Sequence, residues 1–219
     1  MGRELDLLAR YPKSKRNLTD RFESKTEETR RIARQFGYEY FDGDRNYGYG
    51  GFAYHSRFWG DVVEDIIEQY GLTANSSVLD VGCAKGFFIY DLLRAIPGIN
   101  VLGVDVSKYA LDNAHPDVRG RLILGNAKEL PFASNAFDLV ISINTIHNLE
   151  KKDCGKALAE INRVSKGKSF ITVDAYRNFE EKERMEQWNL TALTIMSDTE
   201  WKSFFDESGY KGDYFWFIP

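Results

Sequence analysis

The chain has 219 residues, enough for one domain with a filled core and with no need of a second. A formal charge of −4 gives no global basic surface to neutralise a phosphate backbone, which argues against nucleic acid as a partner. Its two cysteines, Cys83 and Cys154, stand too far apart to suggest a disulfide framework and fit a reducing, cytoplasmic compartment. No apolar run reaches the roughly 20 residues a bilayer span needs, and the opening MGRELDLLARYPKSKR lacks a signal-peptide core, so no membrane association is expected.

From Asn17 to Gly37 the acidic residues Asp20 and Glu23 come early and Arg30, Arg31 and Arg34 late. That charge order suits a helix macrodipole and predicts a surface helix ended by Gly37. The stretch GDRNYGYGGFAYHSRF follows at 43–58. Gly48, Gly50 and Gly51 open backbone conformations closed to other residues, while Tyr47, Tyr49, Phe52 and Tyr54 carry apolar faces that prefer burial. By itself such a string reads as a linker sooner than as a phosphate cradle. Trp59, Val62, Val63, Ile66, Ile67 and Tyr70 then recur on one helical stripe that Gly71 ends.

At Ser77 the period changes. SVLDVG followed by FFIYDLLRAI reads as strand, glycine turn and helix; VLGVDV at 101–106 is a second strand, and Ser107 can cap the helix after it. RLILG, FDLVISI and SFITVD supply three more strands, with a helix from Asp153 to Lys166 between the last two. Strands separated by helices imply parallel pairing and an open α/β sheet covered on both faces. Further on, Glu180 to Trp188 looks helical, LTALTI at 190–195 fits strand, loop or helix, and Ser197 with Glu200 has capping-box spacing for a helix to Ser208. GDYFWFIP closes the chain as a terminal strand.

Open α/β sheets bind ligands outside the carboxyl ends of their strands. At the first of these ends stands Asp80-Val81-Gly82-Cys83-Ala84-Lys85-Gly86, and at the second Asp105, a carboxylate able to accept from two ribose hydroxyls. A dinucleotide fingerprint from Gly82 would need glycine at 84 and 87, where Ala84 and Phe87 stand, and the P-loop pattern is absent.

DVGCAKG, Asp105, GNA at 125–127 and FDLVISI, in that order, resemble the motifs of the seven-strand, class I S-adenosylmethionine-dependent methyltransferases, with Ala84 in place of the middle glycine of D-x-G-x-G-x-G. The resemblance covers roughly residues 57 to 175 and implies a three-layer Rossmann-like sheet, mostly parallel with an antiparallel C-terminal strand. It divides the chain into an N-terminal helix and aromatic, glycine-rich cover (1–56) and a methyltransferase domain (57–219). It also implies S-adenosylmethionine as cofactor and S-adenosylhomocysteine as product. On that pattern Asp80 holds the methionine amino group, Gly82, Ala84 and Gly86 form the turn, Asp105 meets the ribose, and Val106, Asn126 and Ala127 meet adenine. Asn144 stands at the methionine end, and Tyr47 and Tyr49 are placed to close over the cofactor. The flanking FDGDRNYGYGGF, ISINTIHNL and AYRN resemble methyltransferases of bacterial surface-polysaccharide gene clusters, including capsule phosphoramidate modification.

After the fourth strand, Asn144, Thr145, His147 and Asn148 sit where methyl group and acceptor would meet, and the N-P-P-Y of many N-methyltransferases is absent. His147 suits a general base, with His55 second, and it equally suits a histidine that bonds a neighbouring loop. After the fifth strand, Asp174, Tyr176, Arg177 and Asn178 form a second polar cluster. Arg177, with Arg45 and Arg57, matches the oxygens of an anionic acceptor, or Arg177 pairs with Glu180 or Glu181 on the surface. The expected activity is O-methylation of a small molecule (a sugar, nucleotide-linked or phosphate-type acceptor), with no metal. N-methylation of an amino sugar or metabolite, or cofactor binding without transfer, are the alternatives.

Overall fold

The computed structural model describes residues 2–12, 25–50 and 53–219. Five strands, β1 (Ser77–Val81), β2 (Asn100–Asp105), β3 (Leu122–Leu124), β4 (Leu139–Ile143) and β5 (Ser169–Tyr176), pair in the order β3-β2-β1-β4-β5, all parallel. The order reverses between β1 and β2 on one side and β4 on the other. This places the switch point, where such sheets hold ligands, beside the glycine turn that follows β1.

Strand alternation sorts the apolar residues onto two faces. Val78, Leu139, Ile141 and Phe170 pack against α3 (Ser56–Tyr70) and α4 (Phe87–Ala95) through Val62, Ile66, Ile89 and Leu92. Leu79, Val140, Ile171 and Val173 face α6 (Lys151–Val164) and α8 (Asp198–Glu207) through Leu158, Ile161, Trp201 and Phe205. The predicted end signals act as expected. Gly71 ends α3 in the left-handed region at φ 65°, and Ser197 and Glu200 form the capping box of α8. The Ser107 hydroxyl accepts from the Ala110 N–H at 3.0 Å to start α5 (Lys108–Asp112).

The C-terminal strand departs from expectation. β7 (Asp213–Phe217) runs parallel to β5, with Phe170 opposite Asp213 and Asp174 opposite Phe217. The short β6 (Met196–Ser197) pairs with Ala175 and Tyr176 on the same edge of β5. Helix α8 separates β6 from β7 and acts as a crossover, returning the chain to the end of the sheet from which a parallel strand must start. The outer side of β7 is met by the N-terminal segment, where Tyr214 N–H donates to the Arg3 carbonyl at 3.0 Å and Leu5 N–H to the Tyr214 carbonyl at 2.9 Å.

The expected helix over 17–37 is also revised. Asp20 and Glu23 lie outside the described residues, as do Gly51 and Phe52, and α1 spans Glu27–Ala33. It ends before Gly37, because Phe36 takes a left-handed φ of 48°, and the chain restarts as α2 (Tyr38–Phe41). LTALTI, after α7 (Phe179–Trp188), is a loop, buried at 190–192 and 194 with Leu193 exposed, and neither strand nor helix. Its backbone finds partners locally. The Asn189 side chain bonds both the N–H and the carbonyl of Ala192, and the His147 carbonyl accepts from Leu193 and Thr194.

Gly103 on β2 shows how tightly the sheet supports the turn above it. A Cβ there would stand 2.6 Å from both the Cys83 sulfur and the Ile89 Cδ1. Gly103→Ala is therefore expected to lower the unfolding free energy by about 1–3 kcal/mol, read by urea denaturation. A midpoint equal to the parent's would show that the core yields there without cost.

Candidate cofactor and acceptor site

The turn after β1 is built by backbone that most side chains avoid. Gly82, Ala84 and Gly86 have φ of 88°, 48° and 75°. A Cβ on Gly82 would lie 2.0 Å from the Thr145 hydroxyl oxygen, and one on Gly86 would lie 2.7 Å from Val118. Glycine is thus required at these two positions by both conformation and space, whereas Ala84 meets the conformation at a steric cost. Ala84→Gly is expected to stabilise the protein by about 0.5–1 kcal/mol, strain relief outweighing the added chain entropy. Thermal unfolding of the two proteins checks the sign.

Two carboxylates flank the turn. Asp105 accepts from the Ala84 N–H at 2.7 Å with one oxygen and from the Ser107 N–H at 2.8 Å with the other. Each oxygen keeps a lone pair, so the group can fix the turn and still receive two hydroxyls. Asp80 is 6% exposed, and its carboxylate receives no hydrogen bond among the described residues. Burial, reinforced by the charge of Asp105, pushes Asp80 up to about 7. Cys83 is buried against Gly103, and burial raises its thiol well above the usual range, so it is inert packing.

Residues 36–49 bridge the turns that follow β2 and β1 and the end of α7. The Phe36 carbonyl accepts from the Ser107 hydroxyl at 2.5 Å. Asp42 receives the buried Lys85 ammonium at 2.6 and 2.7 Å and the Tyr109 hydroxyl at 2.7 Å. Lys85 belongs to the glycine turn itself, so this ion pair fastens the N-terminal segment to that turn. At the far end Tyr49 stacks on Trp188 at 5.6 Å, and its hydroxyl accepts from the Leu190 N–H at 2.8 Å. Tyr49 therefore lies against the end of α7 and the loop after it. Tyr47 is half-buried in the same segment. Helix α1 lies against the same region, with Lys25 donating to the Gln187 and Trp188 carbonyls and Arg30 to the Asn189 carbonyl at 2.8 Å.

Beyond β4, His147 is buried, and its Nδ1 accepts from the Asp174 N–H at 3.0 Å. That bond occupies the lone pair of Nδ1, so the neutral ring carries its proton on Nε2, and burial lowers its pKa further. His147 is thus arranged to donate a hydrogen bond from Nε2, and of the two readings of this residue the bond to a neighbouring segment is the one seen. The 3.8 Å approach of Nδ1 to an Asp174 oxygen is for the same reason no ion pair. Asp174 is 3% exposed, its carboxylate has no donor among the described residues, and burial raises its pKa. Sequence placed Asp174 in a polar cluster; only strand alternation beyond Phe170 and Thr172 shows it on the same face as Asp80.

The remaining candidates separate. Val106 is 57% exposed at the end of β2, and Leu124, equally exposed and opposite Asp105 in register, joins it as an apolar edge that motif reading missed. The Asn126 side-chain oxygen accepts from the Lys128 N–H at 3.2 Å, beside half-buried Ala127. Asn144, at φ 52°, accepts the Thr172 hydroxyl at 2.8 Å, and Asn148 donates to the Asn144 carbonyl at 3.3 Å. Arg177 turns to Glu4 at 2.9 Å, while Glu181 accepts only the Arg177 backbone N–H. Tyr176 lies under the Lys182 ammonium, and Arg57 lies over Phe58. His55 caps α3 by accepting from the Arg57 N–H at 3.3 Å, and Arg45 is exposed. The expected clamp of Arg45, Arg57 and Arg177 around an anion is therefore not assembled, since each arginine is exposed and Arg57 and Arg177 make their contacts elsewhere.

A family model described as a methyltransferase domain matches residues 78–168. A protein of Encephalitozoon cuniculi named as a methyltransferase is 31% identical over 157 residues, covering 65% of this chain and 70% of its own. Malonyl-acyl-carrier-protein O-methyltransferase of Legionella pneumophila is 34% identical over 100 residues, 44% of this chain and 34% of that protein. The chain thus spans about a third of the length of that curated relative. A solved SAM-dependent methyltransferase from Aquifex aeolicus shares the fold, with TM-score 0.51 at 18% identity over 89% of each chain. The chain belongs to the methyltransferase domain family. The cofactor of that family is S-adenosylmethionine, and the orphan carboxylate of Asp80 and the half-used carboxylate of Asp105 fit its ammonium and ribose.

Asp80 supplies a pH test. The folded protein holds a proton there more tightly than the unfolded chain, so between about pH 4 and 7 stability without cofactor falls as pH rises. An ammonium at Asp80 requires the ionised form. Affinity for S-adenosylhomocysteine should therefore strengthen from about pH 5 to 7, and Asp80→Asn should flatten that slope in calorimetry.

Proposed function

We propose that the protein transfers the methyl group of S-adenosylmethionine to a small molecule. The observation that carries this reading is the pair of carboxylates, buried Asp80 and half-buried Asp105, on either side of a turn with left-handed residues at 82, 84 and 86. Asp80 would hold the ammonium of the cofactor, Asp105 the ribose hydroxyls, and Val106, Leu124 and Asn126 the adenine. When bound, the cofactor supplies an electrophilic methyl on a sulfonium, already a good leaving centre. The chain's own part is to align the acceptor and exclude water, the work of Tyr49, Trp188 and the loop at 189–194.

Oxygen is the acceptor atom that the sequence favours, and an O-methyltransferase among the relatives supports it. A surface-polysaccharide setting rests on the resemblance of FDGDRNYGYGGF, ISINTIHNL and AYRN alone. A phosphate-type acceptor loses support because the arginines expected to hold it point elsewhere. Methylation at nitrogen gains support from Asp174, a buried carboxylate at the acceptor end with no cation in contact.

Calorimetry with S-adenosylmethionine and with NAD, followed by a turnover assay for S-adenosylhomocysteine over a panel of hydroxyl and amine acceptors, tests the reading. Asp105→Ala should weaken cofactor binding by about 10- to 100-fold, the value of hydrogen bonds to a charged group. Preference for NAD would overturn the reading, and tight cofactor binding with no product from any acceptor would favour a sensor.

A further inference from the structure

Two oxygen acceptors at the acceptor end have no donor. The Asp174 carboxylate receives no hydrogen bond among the described residues, though its side chain keeps 5% of its surface open. The side-chain oxygen of Asn148, adjacent in sequence to His147, is buried with no partner. Native interiors leave few such groups, and each calls for an explanation, a ligand that brings the missing donor being one.

The surroundings of Asp174 define the charge of that ligand. From the loop after β4 it faces the His147 ring, which is neutral. From the N-terminal segment it faces Tyr49, stacked on Trp188, close enough for Asp174 to add to burial in raising the tyrosine. Lys25 contributes charge from a distance, with its ammonium directed to the Gln187 and Trp188 carbonyls. On its own strand the Asp174 carbonyl accepts from the Trp201 indole at 2.9 Å. A carboxylate beside aromatic faces and lacking a contacting cation suits an ammonium, which offers three donors and attraction to the rings. A carboxylate or phosphate there would meet like charge.

Asp174 is also distinct from the cofactor's own carboxylate. Asp80 is opposite Ile141, which is opposite Phe170, and Asp174 lies four residues farther along the same face. Strand spacing and rise put the two roughly 16 Å apart. One ammonium cannot serve both.

We propose that Asp174 binds a protonated amine of the methyl acceptor, so that the acceptor is an amine-bearing small molecule such as an amino alcohol or amino sugar. This rests on the methyltransferase reading above and narrows it. The amine is the handle by which the acceptor is held, whether oxygen or nitrogen receives the methyl.

The test titrates ethylammonium, ethanol and acetate into protein saturated with S-adenosylhomocysteine, following the backbone amide of Asp174 and the His147 ring by NMR. Ethylammonium is expected to bind in the millimolar range and to shift these signals, with ethanol and acetate silent. Asp174→Asn should weaken that binding by about tenfold or more, as loss of a charge-assisted hydrogen bond requires, while S-adenosylhomocysteine affinity stays within about twofold. Asp174→Glu should recover part of it. Ethylammonium silent at about 100 mM, ethanol binding equally well, or an Asn variant that binds like the parent would each overturn the proposal. Should the Asn variant fail to fold, the comparison of ethylammonium with ethanol on the parent protein decides alone. Failure of S-adenosylhomocysteine to bind would instead remove the methyltransferase reading, so the two failures are distinguishable.

Discussion

The carboxyl edge of this sheet buries negative charge that the protein itself does not balance. Asp80, Asp105 and Asp174 stand at or near the carboxyl ends of β1, β2 and β5, and burial raises the pKa of all three. Buried carboxylates are costly unless paired or hydrogen-bonded. Only Asp105 is satisfied from within, by two backbone N–H groups. The nearby lysines are committed elsewhere, Lys85 to Asp42 and Lys25 to backbone carbonyls. Stability is thus given up at this edge of the sheet, a common arrangement at functional sites.

The N-terminal segment belongs to this arrangement. Its fastenings at Ser107, Lys85 and Leu190 bind it to the turns after β2 and β1 and to the loop after α7, so it crosses the carboxyl edge of the sheet. The ion pair of Asp42 with Lys85 is placed to couple that segment to the glycine turn. Water exclusion over the site strengthens every charge interaction within it.

Much of this was legible from the chain alone. The period change at Ser77, the glycines at 82 and 86 and the capping pairs are local signals, and local sterics and hydrogen bonding fix their outcome. The direction of β7 was not legible, because a strand's direction depends on whether α8 packs as a crossover, which no residue within β7 encodes. The role of His147 was equally hidden. Histidine after a fourth strand is compatible with base or scaffold, and the choice was made by the backbone N–H of a residue 27 positions away. Arg177 chose Glu4, 173 positions away, over its sequence neighbours for the same kind of reason.

The sequence by itself determined the α/β class, the succession of strands along the chain up to β5, the glycine turn and the places of Asp80 and Asp105 beside it, since each rests on periodicity or on spacing within one supersecondary unit. Tertiary structure alone decided which polar residues meet beyond the carboxyl edge of β4 and β5. It removed the arginines, turned His147 into a donor, seated Tyr49 on Trp188 and left Asp174 unpartnered. These outcomes depend on which side chains from distant segments meet at the sheet edge, and pairings of that kind carry no periodic signature in the chain.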